Sequence, residues 1–430
     1  MATIANVNSS TGAEGGDEAR ATDCLKSPMA RSNDLPSTSA YVAIMLSFAA
    51  VLLDGLDTSS IGVAAPSIAA SFSVSPASLT PAFVLTSVGA VLGYLASGPL
   101  VNRWQARRVL IASVAAFGVL SLATPLAGSV GQLAMLRLVT AIGLGAALPS
   151  AIVIATSQCS PRLKETVAVI VGTGLAGGGI LGGVLGAALT AQFGWRSIFY
   201  IGGALPLVLS LVLLLCLPRP MAGRGVAPKN ERSGVQLVGD LLAAGLATRT
   251  IGLWIFSFLI FADGYALVFW IPSLLIKLGF SSEYAQLGIS FFSAGGLIAN
   301  LAVVFLVSRF PVARILLLAV MIGVISLAGL AAYEVVPVGI WILIAGTGAG
   351  LISCSVGQSA LAVSICPEPL RTHGVGFSAA AGRIGSIVGP AAAGLLVSMG
   401  VGPKTIMLGA TLPALLAIFA LLPQLRTGRE

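Results

Sequence analysis

Charge is what this sequence has least of. Of its 430 residues only 9% are Asp, Glu, Lys or Arg, against roughly 25% in an ordinary water-soluble domain. A single histidine, His373, excludes a histidine metal cluster. Five cysteines (Cys24, Cys159, Cys216, Cys354 and Cys366) lie apart without any ligand spacing, so they read as small apolar packing residues and no metal site is expected. The net charge is +8, yet the basic residues are scattered near the ends of apolar runs. That is a topology signal and excludes a nucleic-acid partner. The polar residues offer no nucleophile–base pair or cofactor loop. The Gly-rich stretch 172–179 lies inside an apolar run, where a phosphate loop has no place. No catalytic residues, and hence no enzyme, are expected.

What is there is hydrophobic length. The chain is 57% hydrophobic with 52 glycines, and its mean hydropathy is +1.00. The apolar runs reach roughly 20 residues or more, the length a helix needs to cross the hydrocarbon core. The class expected is an all-α polytopic membrane protein. About twelve spans follow from run length and breaker residues: 40–65, 79–101, 108–128, 132–156, 165–191, 196–217, 248–276, 284–308, 312–333, 337–364, 372–398 and 402–424. Residues 1–38 are polar and read as a disordered cytoplasmic tail without a cleavable-signal layout. The longest polar interruption, 218–247, reads as a cytoplasmic central loop. It separates a six-helix half at 39–217 from another at 248–424, with a short cytoplasmic tail at 425–430.

Eighteen Lys and Arg fall in the tails and the even-numbered loops, and only Arg196, Lys277 and Lys404 in the opposite loops. Positive residues favour the cytoplasm, so both termini are expected inside a multi-pass protein of the cell (inner) membrane. An even number of helices agrees with that.

Charged side chains within a bilayer cost roughly 2.5–3.5 kcal/mol each on insertion scales, so each needs a reason. Five lie well inside the runs: Asp54, Asp57, Arg137, Asp263 and Arg383. Asp54 and Asp57, three apart, are expected on one helix face. Two carboxylates so close in low dielectric cannot both ionise cheaply, which suits proton coupling. The alternative is a structural pair bonded to a neighbouring Arg. Arg137 and Arg383 can each hold a carboxylate bidentately or serve as partner to an acid. Asp263 is a further proton site or a buried acid held by a hydrogen bond. Near it, Tyr265, Phe269 and Trp270 offer aromatic surface to a ring, or simply pack. Gly174, Gly178, Gly182 and Gly186, every fourth residue, allow helices to touch backbone to backbone.

Six spans plus six around a basic loop resemble the major facilitator superfamily. DGLDTSSIGVAAPSI (54–68) resembles the first-helix DGxD signature of its aromatic acid:H+ symporter family. RLVTAIGLGAALPS (137–150), the segment 182–209, FWIPSLL (269–275) and RTHGVGFSAAAGRIGSIVGP (371–390) resemble other helix regions of that family. The similarity is greatest to the 3-hydroxyphenylpropionate type, then to hydroxybenzoate carriers.

The resemblance implies two six-helix halves rocking about a midplane site. It implies import of a small aromatic carboxylate with protons, in the service of aromatic hydrocarbon catabolism. Such a protein needs no cofactor beyond the proton gradient, and is expected as a monomer whose partners are substrate, protons and lipid. The family's essential acids fall on Asp54 and Asp57, and its arginines on Arg137 and Arg383. With the reading of the residues added, proton coupling is expected at Asp54, Asp57 and Asp263, and substrate binding at Arg137, Arg383 and Tyr265.

The chain also departs from the superfamily's GxLADRxGRR loop, reading GPLVNRWQARR (98–108), with Asn102, Gln105 and Ala106 in place of an acid, a Gly and an Arg. Asn102, Arg103, Arg107 and Arg108 are the gating-loop candidates. In the related loop Ser308 stands where an acid is common, and Ala141 replaces a Gly four residues after Arg137. The competing expectations are a proton-coupled efflux antiporter for amphipathic compounds and a non-transporting aromatic-acid receptor. Two intramembrane arginines favour an anion, and the short tail and central loop leave no room for a signalling domain.

Overall fold

The computed structural model describes residues 38–160, 163–217, 234–243, 246–307, 309–332 and 337–425, and every regular element among them is helical. Among the described residues, twelve helices are long and apolar enough to cross a membrane. They are α1 (Thr38–Ser71), α2 (Thr80–Trp104), α3 (Ala106–Ala123), α4 (Val130–Ser157), α5 (Lys164–Phe193), α6 (Arg196–Cys216), α7 (Ala247–Lys277), α8 (Ser282–Leu306), α9 (Val312–Ala332), α10 (Pro337–Ile365), α11 (Arg371–Ser398) and α12 (Pro403–Leu425).

These match the expected spans to within a few residues, with two differences. Helix α1 runs on through Pro66 to Ser71 instead of stopping near residue 65. In a packed membrane helix, neighbouring groups re-satisfy the backbone carbonyl that a proline frees, so the ring does not end the helix. Second, Gly234–Leu241 form a short helix inside the stretch read as a loop. The N-terminal tail through residue 37, residues 218–233 of the central loop, Ser308 and the last five residues lie outside the described residues.

Helix ends follow local chemistry. At the start of α4, Ser129 accepts from the Gln132 N–H while the Gln132 side chain accepts from the Gly128 N–H at 2.9 Å, a reciprocal cap. Past the ends of α5, α7 and α11 stand Gly194, Gly279 and Gly400, all at positive φ, where a missing Cβ makes the left-handed turn cheap.

Within each half the helices pack through glycine. A Cβ on Gly178 of α5 would lie 2.0 Å from the Leu52 carbonyl oxygen of α1, and one on Gly55 of α1 would lie 2.1 Å from that of Leu175. The stripe therefore joins α1 to α5 at backbone contact. The halves repeat one another here: Gly89 of α2 abuts the Leu138 carbonyl of α4, and Gly295 of α8 abuts the Ala345 carbonyl of α10. Large apolar side chains such as Met45, Leu95, Phe193, Phe305, Ile325 and Phe419 stay exposed around the outside, as a lipid-facing surface requires.

The halves touch at the end of the bundle remote from the termini. Phe83 of α2 stacks on Phe269 of α7 with centroids 5.1 Å apart and meets Trp270 edge-on at 5.1 Å. The Ser290 hydroxyl of α8 donates to the Ile180 carbonyl of α5 at 2.8 Å. Gly62 of α1 lies against Val268, and Gly394 of α11 against Thr80. These contacts form a seal across one end.

At the other end, Gln105 joins α2 to α3 with φ 68° and ψ 144°, a region that belongs almost entirely to glycine. It stands where the superfamily's loop pattern has its second Gly. Residues held in sparsely populated backbone regions cost about 1–3 kcal/mol. Gln105→Gly is accordingly expected to raise the unfolding temperature of the purified protein in detergent; an unchanged or lower temperature would remove the strain from this account. Arg107 in the same loop donates from Nε to the Leu217 carbonyl at 3.0 Å and from Nη2 to that of Leu214 at 2.6 Å. It thereby caps the C-terminal end of α6, where a cation suits the helix dipole. Arg103 lies over the Trp104 ring at 6.0 Å, and Asn102 and Arg108 are exposed.

Candidate functional site

The two carboxylates of α1 part company. Three residues turn a helix through roughly 300°, leaving positions i and i+3 about 60° apart. That angle is enough to aim Asp57 into the N-terminal half and Asp54 at the space between the halves. The shared face expected from the spacing is thus split between two neighbourhoods.

Asp57 is fully buried, as is Arg137 of α4. Arg137 Nη1 lies 2.8 Å from Asp57 Oδ2, and Nη2 donates to the Asp57 backbone carbonyl at 3.3 Å. The Ser121 hydroxyl of α3 donates to Asp57 Oδ1. The guanidinium also sits 6.0 Å from the centre of the Phe199 ring. Its Nε has no partner and Nη1 meets the carboxylate off-axis, so the contact is an ion pair more than an aligned fork. Asp57, Ser121 and Arg137 tie α1, α3 and α4 together inside the first half.

Asp54 instead lines a narrow cavity between the halves. Thr58, one turn on, donates to Asp54 Oδ1 at 3.3 Å. The first half adds Thr86, Ser87, Ala141, Leu144, Leu148 and Leu175 to the walls, and the second half adds Tyr265, Phe269 and Arg383. The Ser87 hydroxyl is buried without a partner, a donor left over for whatever enters.

Arg383 of α11 is the cavity's cation. It donates from Nη1 to the Tyr265 hydroxyl at 3.3 Å and lies 5.1 Å from the centre of the Tyr94 ring. No carboxylate among the described residues comes within ion-pair distance of it. Tyr265 in turn packs on Phe261 and Phe269, with centroids 6.1 and 6.2 Å away. A guanidinium not neutralised by an ion pair, beside two aromatic rings and below an aliphatic wall, can hold an anion carrying an apolar ring.

With the helix count, the six-plus-six division and this central cavity in view, comparison with known proteins settles the lineage. Residues 47–360 match the family model described as Major Facilitator Superfamily. The chain belongs to the major facilitator superfamily. It is a transporter of that superfamily and not an enzyme. It is 33% identical over 400 residues to the 3-(3-hydroxy-phenyl)propionate transporter of Escherichia coli, covering 91% of this chain and 97% of the relative. It is 32% identical over 412 residues to the 4-hydroxybenzoate transporter PcaK of Pseudomonas aeruginosa, covering 88% and 91%. The gallate transporter of Pseudomonas putida is 29% identical over 408 residues, covering 89% and 91%. Among solved structures, a bacterial homolog of the lysosomal transporter Spinster superposes with a TM-score of 0.73 at 17% identity, covering 91% of this chain and 98% of the other. At that identity the likeness concerns the fold.

The sequence candidates fall into three places in this superfamily member. Asp54, Arg383 and Tyr265 line the cavity. Asp57 and Arg137 form the buried pair beside it. Asp263 lies apart, buried in α7 and outside the cavity wall. Phe269 joins the wall, while Trp270 packs away from it, its indole N–H donating to the Pro390 carbonyl at 3.2 Å. Sequence reading passed over Thr58, Ser87, Tyr94 and Ser121, because hydroxyls and tyrosines are common in apolar runs and only helix rotation selects among them.

Proposed function

We propose that this transporter imports small aromatic carboxylates together with protons. The observation that carries the reading is Arg383, a cavity arginine outside any ion pair, set beside Tyr265 and Phe269 and across from Asp54. The substrate carboxylate docks on the guanidinium, the ring lies against the aromatic and leucine walls, and a ring hydroxyl reaches Ser87, Thr58 or Asp54. The names of the relatives support this class of cargo. A guanidinium outside any ion pair in the cavity wall argues against organic cations as the cargo.

Asp54 and the Asp57–Arg137 pair carry the coupling. A proton on Asp57 releases Arg137, loosening the tie between α1 and α4, and Asp54 senses the substrate's charge across the cavity. The distribution of Lys and Arg supports cytoplasmic termini in the inner membrane. The aromatic seal then faces outward, and the cavity belongs to an inward-facing state.

Uptake of labelled 3-(3-hydroxyphenyl)propionate and 4-hydroxybenzoate into proteoliposomes tests this. An inward proton gradient is expected to drive accumulation of at least one acid, and Asp54→Asn to lower it several-fold while exchange across the membrane persists. Folded protein that accumulates neither acid, or that moves them outward against the gradient, would overturn the reading.

A further inference from the structure

The two halves keep a common register. Asp57, Pro66, Arg103 and Arg108 each have an identical residue 206 positions later: Asp263, Pro272, Arg309 and Arg314. Gly89 and Gly295 stand in the same relation, and both press on a carbonyl of the facing helix, Leu138 in one half and Ala345 in the other. Asp263 is therefore the second half's counterpart of Asp57.

Its partners have not been kept. The carbonyl matching aligns Arg137, next to Leu138, with Ile344, next to Ala345, and Leu343 and Ala345 flank Ile344. At the 206-residue spacing of Asp57 and Asp263, Ser121 aligns with Leu327. Ile344 and Leu327 are both buried. Asp263 is itself only 4% exposed, and its Oδ2 has no hydrogen-bond partner. On the helices packed against α7, the charged and titratable groups are Tyr41, Asp54 and Asp57 on α1, Glu283 and Tyr284 on α8, Cys354 on α10, Arg371, His373 and Arg383 on α11, and Lys404 on α12. None of them forms an ion pair with Asp263, and Asp54 and Arg383 line the cavity that Asp263 does not reach. A buried carboxylate without a cation is strongly disfavoured, so this side chain has no use as half of a salt bridge.

We propose that Asp263 is a second proton-carrying site, located in the C-terminal half and independent of the α1 carboxylates. While α7 is packed as here, the carboxyl keeps its proton. When the halves rock and water reaches α7, the proton leaves to solvent and the carboxylate is hydrated; the return stroke takes a proton up from the other side. The inference rests on the proposed import reading and adds one proton per cycle to it. With a monoanionic substrate, that proton makes transport electrogenic.

The test is uptake of 4-hydroxybenzoate or 3-(3-hydroxyphenyl)propionate into proteoliposomes driven by a potassium diffusion potential alone, with no pH difference. One net positive charge per cycle allows an inside-negative potential of about 100 mV to sustain roughly 50-fold accumulation. Asp263→Asn is expected to abolish potential-driven accumulation while retaining uptake driven by a pH gradient, and Asp263→Glu to restore it. An Asp263→Asn protein that still responds to potential as wild type does would overturn the proposal and leave the import reading standing. Potential-independent uptake by wild type would overturn it as well. Should wild type take up neither acid, the import reading fails, and infrared spectroscopy then decides the site alone. A protonated-carboxyl band lost in Asp263→Asn supports it, and an unchanged band removes it.

Discussion

Replacing Arg137 by Ala is expected to destabilise the protein by about 3–5 kcal/mol, as measured when one member of a buried ion pair is removed. It is also expected to abolish gradient-driven accumulation. The cause is the partner left behind: Asp57 is fully buried, and without the guanidinium it retains only the Ser121 hydroxyl. Asp57→Asn has the opposite consequence for charge, since it leaves Arg137 unmatched against the Phe199 ring. The double variant Asp57→Asn with Arg137→Gln removes both charges, because replacing a whole buried pair is often neutral. Thermal unfolding in detergent is expected to rank wild type and the double variant together and both single variants well below.

Transport separates a structural pair from a coupling pair. If the pair only fastens α1 to α4, the double variant recovers accumulation along with stability. If protonation of Asp57 is the switch, the double variant folds and exchanges substrate between the two faces but no longer accumulates it. The second outcome is the one expected, and full accumulation by the double variant would return Asp57 and Arg137 to a packing role.

The legibility of this protein in its sequence varies with the physics. Membrane helices are legible because the bilayer sets one length and one composition for every span, so boundaries fall within a few residues. The exception at Pro66 is instructive: a proline that ends a helix in water is tolerated where packed neighbours satisfy the carbonyl it frees. The short helix Gly234–Leu241 went unread because its eight residues sit in a stretch whose polarity and prolines dominate any window.

The charged candidates were legible for a different reason. A charge in lipid is costly enough that selection keeps few, and all five that the sequence offered are found within membrane-spanning helices. Their partnerships were not legible. Whether Arg137 or Arg383 pairs with an α1 acid depends on rotation and on which helix stands beside which. The i, i+3 spacing of Asp54 and Asp57 suggested common work, yet about 60° of rotation was enough to send one into the bundle of the first half and the other into the cavity. The equivalence of Asp57 and Asp263 was present in the numbering throughout, but only the matching glycine contacts of α2–α4 and α8–α10 fix the register and expose Ile344 as the missing cation.

Arg383→Ala is expected to weaken binding of the aromatic carboxylate by about 2–5 kcal/mol, or roughly thirty-fold to a few thousand-fold. The range is that found when one member of a hydrogen-bonded charge pair is truncated. Arg383→Lys is expected to restore binding only in part. An ammonium supplies the charge but not the planar fork that meets both carboxylate oxygens, and it cannot keep the contacts with both Tyr265 and Tyr94 that hold the guanidinium in place. Tyr265→Phe removes one neutral partner of that guanidinium and leaves the ring wall intact, so its effect is expected to be a few-fold. Titration calorimetry on purified protein measures each of these without the transport cycle. The decisive control is a neutral amide of the same acid. It keeps the ring and the hydroxyl but offers no charge, so it is expected to bind wild type and Arg383→Ala with similar, weak affinity. If Arg383→Ala weakened the amide and the acid equally, Arg383 would be shaping the cavity through Tyr94 and Tyr265 instead of receiving the carboxylate, and the anion would have to dock elsewhere.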